Sequence, residues 1–233
     1  MINGIDVSEH QGAIDWSKVN TGFVMIRAGY GRELSQKDKF FETNYSGCKS
    51  RGIPCGVYWY SYAVTPEEAK KEATVCLEVI KGKKFEFPVY FDIEEGKTLA
   101  LGIEKCSAIA EAFLDTIEKA GFWAGIYSSK SHLENYISPQ IRSRYAVWVA
   151  HYGVTKTNYS GSFGIWQKSN TGAVAGILGN VDLNECYVDY PTEVKAAGLN
   201  GYGKPPAESE KRKKQFIIVE DGIKWSGILT EDK

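Results

Sequence analysis

Short apolar runs alternate with amphipathic stretches through the first two hundred residues, and this alternation constrains the chain more than any other feature. The runs fall at residues 4–7, 23–28, 55–60, 88–93, 124–128, 145–150, 164–167 and 181–183. Each has the length of a strand, and most are apolar enough to be covered on both faces. Between several of them the apolar period becomes that of a helix. Ala69, Ala73, Cys76, Leu77 and Ile80 recur at helical spacing behind the start signal Thr65-Pro66-Glu67-Glu68. Cys106, Ile109, Ala110, Phe113, Ile117 and Ala120 form a second stripe, stopped by Gly121, and a less regular helix is expected around residues 40–51. The pattern predicts an α/β fold in which helices cover a parallel sheet. Eight strands point to closure into a β/α (TIM-like) barrel, whose functional groups gather at the C-terminal strand ends. Helical patterns thin out after Tyr136, so an irregular barrel is expected.

The length of 233 residues suits one large domain, taken as residues 1–199, with a short appendage. Residues 200–214, beginning Asn200-Gly201-Tyr202-Gly203-Lys204-Pro205-Pro206, read as a linker. Within residues 215–233, Phe216-Ile217-Ile218-Val219 and Ile223-Lys224-Trp225-Ser226-Gly227-Ile228-Leu229 flank a turn near Glu220-Asp221-Gly222 and predict a β-hairpin. A net charge of −1 without a long basic stripe on the main body argues against a nucleic-acid partner. The cluster Lys211-Arg212-Lys213-Lys214 reads as solvated linker. No segment is apolar and long enough to span a membrane. Cys48, Cys55, Cys76, Cys106 and Cys186 lack paired metal-ligand spacing and read as buried free thiols, with a Cys48–Cys55 disulfide the weaker alternative.

Asp92-Ile93-Glu94 closes the apolar run Phe87-Pro88-Val89-Tyr90-Phe91. Strand alternation turns Asp92 and Glu94 to the same side, where mutual repulsion favours one proton between them. Such a pair can protonate a glycosidic oxygen and stabilise a sugar cation. Asp6 ends the first predicted strand and Asp182 lies in the last, which is its neighbour in a closed barrel. All four acids are therefore expected in one mouth. Tyr58, Tyr60, Tyr62, Tyr127, Trp148, Tyr152 and Trp166 lie at or near strand ends, some of them as ordinary core or rim residues. Acids ringed by aromatic faces suit a carbohydrate. The chain has no Gly-x-Ser-x-Gly elbow and no phosphate-cradling glycine loop. His10, His132 and His151 read as structural or loop residues, His10 with the strongest claim on the site.

The stretch from Gly4-Ile5-Asp6-Val7-Ser8 to Asp15-Trp16 resembles the opening signature of the family 25 glycoside hydrolases, lysozymes of the Chalaropsis type. Phe23-Val24-Met25-Ile26-Arg27-Ala28, Gly56-Val57-Tyr58-Trp59-Tyr60, Tyr90-Phe91-Asp92-Ile93-Glu94, Trp148-Val149-Ala150-His151-Tyr152, Trp166-Gln167 and Val181-Asp182-Leu183-Asn184 follow in the family's order, over about residues 1 to 190. The resemblance implies a flattened barrel and a β-1,4-N-acetylmuramidase acting on peptidoglycan with retention, without cofactor or metal. It makes Glu94 the general acid, Asp92 the stabiliser of positive charge, and Asp6 and Asp182 supporting acids. Tyr58, Tyr60, Tyr62, Tyr127, Trp148, Tyr152, Trp166 and Gln167 are then the expected substrate-binding residues. Trp59 stands where many members carry a histidine, a change expected at the cleft wall. The competing readings are a non-catalytic wall-binding protein on the same barrel, which predicts lost acids, and a chitin hydrolase. Met1-Ile2-Asn3-Gly4-Ile5-Asp6 reads as strand rather than signal peptide. The expectation is synthesis in a bacterial cytoplasm and later release to the wall, as for a phage or prophage endolysin. For the tail, self-association is expected ahead of a remnant wall-binding module.

Overall fold

The computed structural model describes residues 1–203 and the backbone of two further strands, Lys214–Glu220 and Ile223–Leu229. Eight strands close into a barrel in chain order: β1 Ile2–Val7, β2 Phe23–Tyr30, β3 Cys55–Tyr60, β4 Val89–Asp92, β5 Ala124–Ser129, β6 Ala146–Ala150, β7 Ile165–Gly172 and β8 Val181–Cys186. Neighbours from β1 to β7 are parallel. The expected parallel sheet extends over these seven strands, and the expected irregularity falls at β8, which runs antiparallel to both β7 and β1. The segment between β7 and β8, residues 173–180, is too short for a parallel crossover, so the chain turns straight back.

The helices are α1 Phe41–Ser50, α2 Pro66–Ile80, α3 Gly96–Leu99, α4 Ile103–Lys119, α5 Lys130–Tyr136, α6 Pro139–Arg144 and α7 Tyr190–Ala196. Helix α2 starts where its sequence says it should. Thr65 is extended and its side chain accepts the Glu68 N–H, while Pro66 occupies the first turn, where no donor is missed. Helix α4 runs out beside Gly121, whose φ of 84° favours glycine. None of the helices is long and apolar enough to cross a membrane, among the described residues.

Strand alternation sorts the side chains into two buried clusters. Val24, Ile26, Val57, Trp59, Val89, Phe91, Ile126, Val147, Val149 and Trp166 point outward, beneath the helices. Phe23, Met25, Phe87, Tyr90, Tyr127, Trp148, Ile165 and Tyr190 fill the barrel interior. At one end Phe23 stacks on Phe87 at 4.7 Å and closes the base. Gly4 is needed there, because a Cβ would lie 2.3 Å from the Phe23 ring. The same alternation, one or two residues further along each strand, brings polar side chains to the opposite end.

One expectation about the rest of the chain is corrected. Asn200, read as the first residue of a linker, is fully buried in the barrel base. Its side chain accepts the Trp123 N–H at 2.7 Å and donates to the Phe87 carbonyl at 2.8 Å. The Tyr202 hydroxyl likewise donates to Glu86, so the barrel domain includes these residues. The remainder of the expected linker, residues 204–213, lies outside the described residues. The hairpin forms as β9 Lys214–Glu220 and β10 Ile223–Leu229, antiparallel, with Ile223 opposite Glu220. All five cysteines are free and buried.

Candidate active site

Inward-facing side chains at the polar end of the barrel line a cleft of about 220 Å³. Asp6 and Arg27 come from β1 and β2, Tyr58 and Tyr60 from β3, and Asp92 from the last position of β4. Glu94 lies just beyond that strand, and Tyr127, Trp148, Gln167 and Asp182 come from β5 to β8. Because β8 is antiparallel, Asp182 reaches the mouth from near the start of its strand, directly opposite Asp6 in the ladder. His10 and Tyr152 complete the wall.

Asp6 is 4% exposed and held by a converging set of donors. Its Oδ2 accepts from Gln167 Nε2 at 2.8 Å and from Asn184 Nδ2 at 2.7 Å. Behind them, the Tyr127 hydroxyl donates to Gln167 Oε1 at 2.7 Å, as does the Tyr152 hydroxyl, and Trp148 Nε1 donates to Asn184 Oδ1 at 2.8 Å. These bonds orient both amides, which leaves each one an N–H for Asp6. Burial raises the Asp6 carboxyl well above its ordinary value, and the neighbouring Asp182 adds to the rise. Burial raises the Asp182 carboxyl as well, and its contact with Asp6 offsets part of that rise.

Asp92 is equally buried. Desolvation, then the charges of Glu94 and Asp6, push its carboxyl well up, against the pull of the Arg27 cation. Its Oδ1 is buried and has no hydrogen-bond partner among the described residues. Burial also raises Glu94 from 4.5, although a Ser129 N–H supports its anion. Glu94 is half-buried rather than enclosed, and so can exchange a proton with a bound molecule. Arg27 is locked by Asp38 at 2.8 Å and Glu9 at 2.7 Å, and approaches His10 Nε2 at 3.3 Å.

The structure brings together Asp6, Asp92, Glu94, Asp182, Tyr58, Tyr60, Tyr127, Trp148, Tyr152 and Gln167 in this one cleft. Two expected residues stand apart. Trp166 faces outward into the helix-covered core, its Nε1 donating to the His151 carbonyl, because Gln167 takes the inward position. Tyr62 lies past the end of β3, 44% exposed, against a neighbouring cavity. Trp59 is corrected as well. It is fully buried outside the barrel and donates to the Gly31 carbonyl, away from the cleft wall. Arg27, Asn184 and Ser129 were not singled out as site residues from sequence. Arg27 had a signal, since a lone cation in the apolar run Phe23-Val24-Met25-Ile26-Arg27-Ala28 requires buried partners. Asn184 and Ser129 had none apart from their neighbours.

Carboxyl groups at the mouth of a closed α/β barrel, walled by tyrosine and tryptophan, define a glycosidase-type barrel. The sequence model for glycosyl hydrolases family 25 matches residues 5–177, and the chain belongs to that family. An autolytic lysozyme of Clostridium acetobutylicum is 29% identical over 187 residues, covering 79% of this chain and 55% of the relative. Among solved structures, the modular autolysin LytC of Streptococcus pneumoniae, in complex with a synthetic peptidoglycan ligand, superposes with a TM-score of 0.71 at 29% identity. It covers 80% of this chain and 46% of that one. The lysozyme of Streptomyces coelicolor gives 0.69 at 26% identity, covering 87% of this chain and 98% of its own. The chain thus spans about half the length of the first two relatives.

Proposed function

We propose that this protein is a peptidoglycan hydrolase that cleaves the β-1,4 bond between N-acetylmuramic acid and N-acetylglucosamine. The observation that carries the reading is the convergence of Asp6, Asp92, Glu94 and Asp182 in one aromatic-walled cleft. The family and its lysozyme and autolysin relatives support it. Protonated Glu94 gives its proton to the glycosidic oxygen as the bond to C1 breaks. Asp92 stabilises the positive charge that develops, directly or by orienting the 2-acetamido group whose oxygen bonds to C1. Water then attacks C1 from the departed side, Glu94 takes its proton, and two inversions leave the configuration retained. Asp6 and Asp182 add their raised carboxyls to the cleft, Tyr58, Tyr60 and Tyr152 supply aromatic surface, and buried Tyr127 and Trp148 hold the amides of Gln167 and Asn184 in place. A wall-binding protein without activity has no need of this acid set. The same reading places the action of the protein at the bacterial cell wall.

Digestion of purified peptidoglycan, with mass spectrometry of the released sugars, tests it. Wild type is expected to release fragments with reducing N-acetylmuramic acid ends. Glu94→Gln should lose at least about 100-fold in rate, the low end for a general acid, with an unchanged fold. Reducing N-acetylglucosamine ends, or a Glu94→Gln variant with near-normal turnover, would refute the assignment.

A further inference from the structure

A second cavity, of about 620 Å³, lies beside the cleft and has no role in the chemistry above. Its charged and aromatic lining is Arg32, Glu33, Tyr62, Glu67, Glu68 and Lys71. Tyr62 joins the two spaces: its ring meets that of cleft residue Tyr60 edge-on at 5.1 Å, and that of Tyr30 at 6.1 Å. Arg27, another cleft residue, sits over the Tyr30 ring at 5.6 Å. A polymer held across Asp92 and Glu94 therefore has a substituent-sized space within reach of the cleft.

The walls of this cavity are built in advance. Gln36 Oε1 accepts the N–H groups of Arg32 at 2.8 Å and Glu33 at 2.9 Å. Glu68 accepts the Val64 N–H at 2.8 Å, and the fully buried Glu72 accepts that of Tyr62 at 2.9 Å. Arg32 pairs with Glu68, and Lys71 with Glu33 at 2.9 Å, while Glu67 joins neither pair. The Lys71–Glu33 pair is more than half exposed on both sides, so an incoming ion can exchange partners with it at little cost.

Charge decides what fits. Where each lactyl carboxyl is amide-bonded to a stem, the N-acetylated glycan backbone of peptidoglycan is neutral, and a further sugar would call for aromatic faces and neutral hydrogen-bonding groups. The ionised groups of the polymer are on the peptide stem, which carries carboxylates and the amine of its diamino acid. A cavity offering both signs beside an aromatic ring matches such a stem. The geometry points to a peptide-stem subsite in this cavity, in which Arg32 and Lys71 receive carboxylates and Glu67 or Glu68 the amine. This inference rests on the muramidase reading of the adjoining cleft, and makes the protein selective for glycan that still bears its peptides.

The test compares kcat/KM on soluble peptide-bearing glycan strands with that on the same strands stripped by an amidase and re-capped at the lactyl carboxyl as the simple amide. It uses wild type, Arg32→Ala and Lys71→Met, and calorimetry follows binding of the free stem tetrapeptide. The Lys71 side chain is 58% exposed, so its replacement does not threaten the fold. Wild type should prefer peptide-bearing strands by about tenfold, the equivalent of one charge-assisted hydrogen bond, and both variants should lose most of that preference. Equal cleavage of the two substrates by wild type, or a preference that neither variant lowers, overturns the subsite and leaves the muramidase reading standing. Cleavage of neither substrate, with tetrapeptide binding that both variants weaken, keeps the subsite and removes the muramidase reading.

Discussion

Asp92 pays for its position in stability. Burial is the largest influence on it, and the folded chain holds its carboxyl well above the ordinary 3.8. A raised carboxyl contributes stability that is complete below the unfolded value and is lost as pH rises through the folded value. Asp92→Asn is therefore expected to melt at a higher temperature than wild type at pH 7. The difference should shrink as the pH falls toward 3.8, which thermal melts across that range will show. Activity follows the other carboxyl. Glu94 must carry a proton to act as the acid, and burial lifts it above 4.5. The falling limb of the kcat profile on the alkaline side is then expected above 4.5. A limb at or below that value would mean that Glu94 is not the acid.

Between elements, the cleft depends on alternation kept in step around the barrel. Arg27, Tyr58, Asp92, Tyr127, Trp148, Gln167 and Asp182 all sit on the inward parity of their strands. Their outward neighbours, Ile26, Val57, Phe91, Ile126, Val147, Trp166 and Val181, all join the core beneath the helices. A one-residue slip in any strand would exchange the two sets. At the opposite end one side chain ties together two strand starts. Asn200, at a φ of 54°, satisfies backbone groups of residues 87 and 123 from within the core. Asn200→Ala leaves those groups buried and unpaired, and should cost about 2–4 kcal/mol in urea unfolding. A loss below about 1 kcal/mol would mean that water replaces the side chain there. The start of this element looked like linker because Asn, Gly and Tyr are ordinary loop residues. Nothing local reveals that one of them plugs a barrel.

At the scale of the whole molecule, β9 and β10 pair with each other as a two-stranded sheet, which is marginal alone in water. We propose that it pairs with the hairpin of a second copy. Light scattering should then give the full chain a dimeric mass and the chain lacking residues 204–233 a monomeric one. Equal oligomeric states for the two would refute the pairing. The strands, the main helices and the acids were legible in the sequence by itself, because they depend on period, caps and spacing along the chain. Asp92 and Glu94 in particular are two residues apart, within reach of any local argument. The direction of β8, the outward turn of Trp59 and Trp166, the burial of Asn200 and the network from Trp148 and Tyr127 to Asp6 were settled by tertiary structure alone. Each joins residues distant in sequence, or depends on which face of a strand meets the core, and only closure of the barrel decides that.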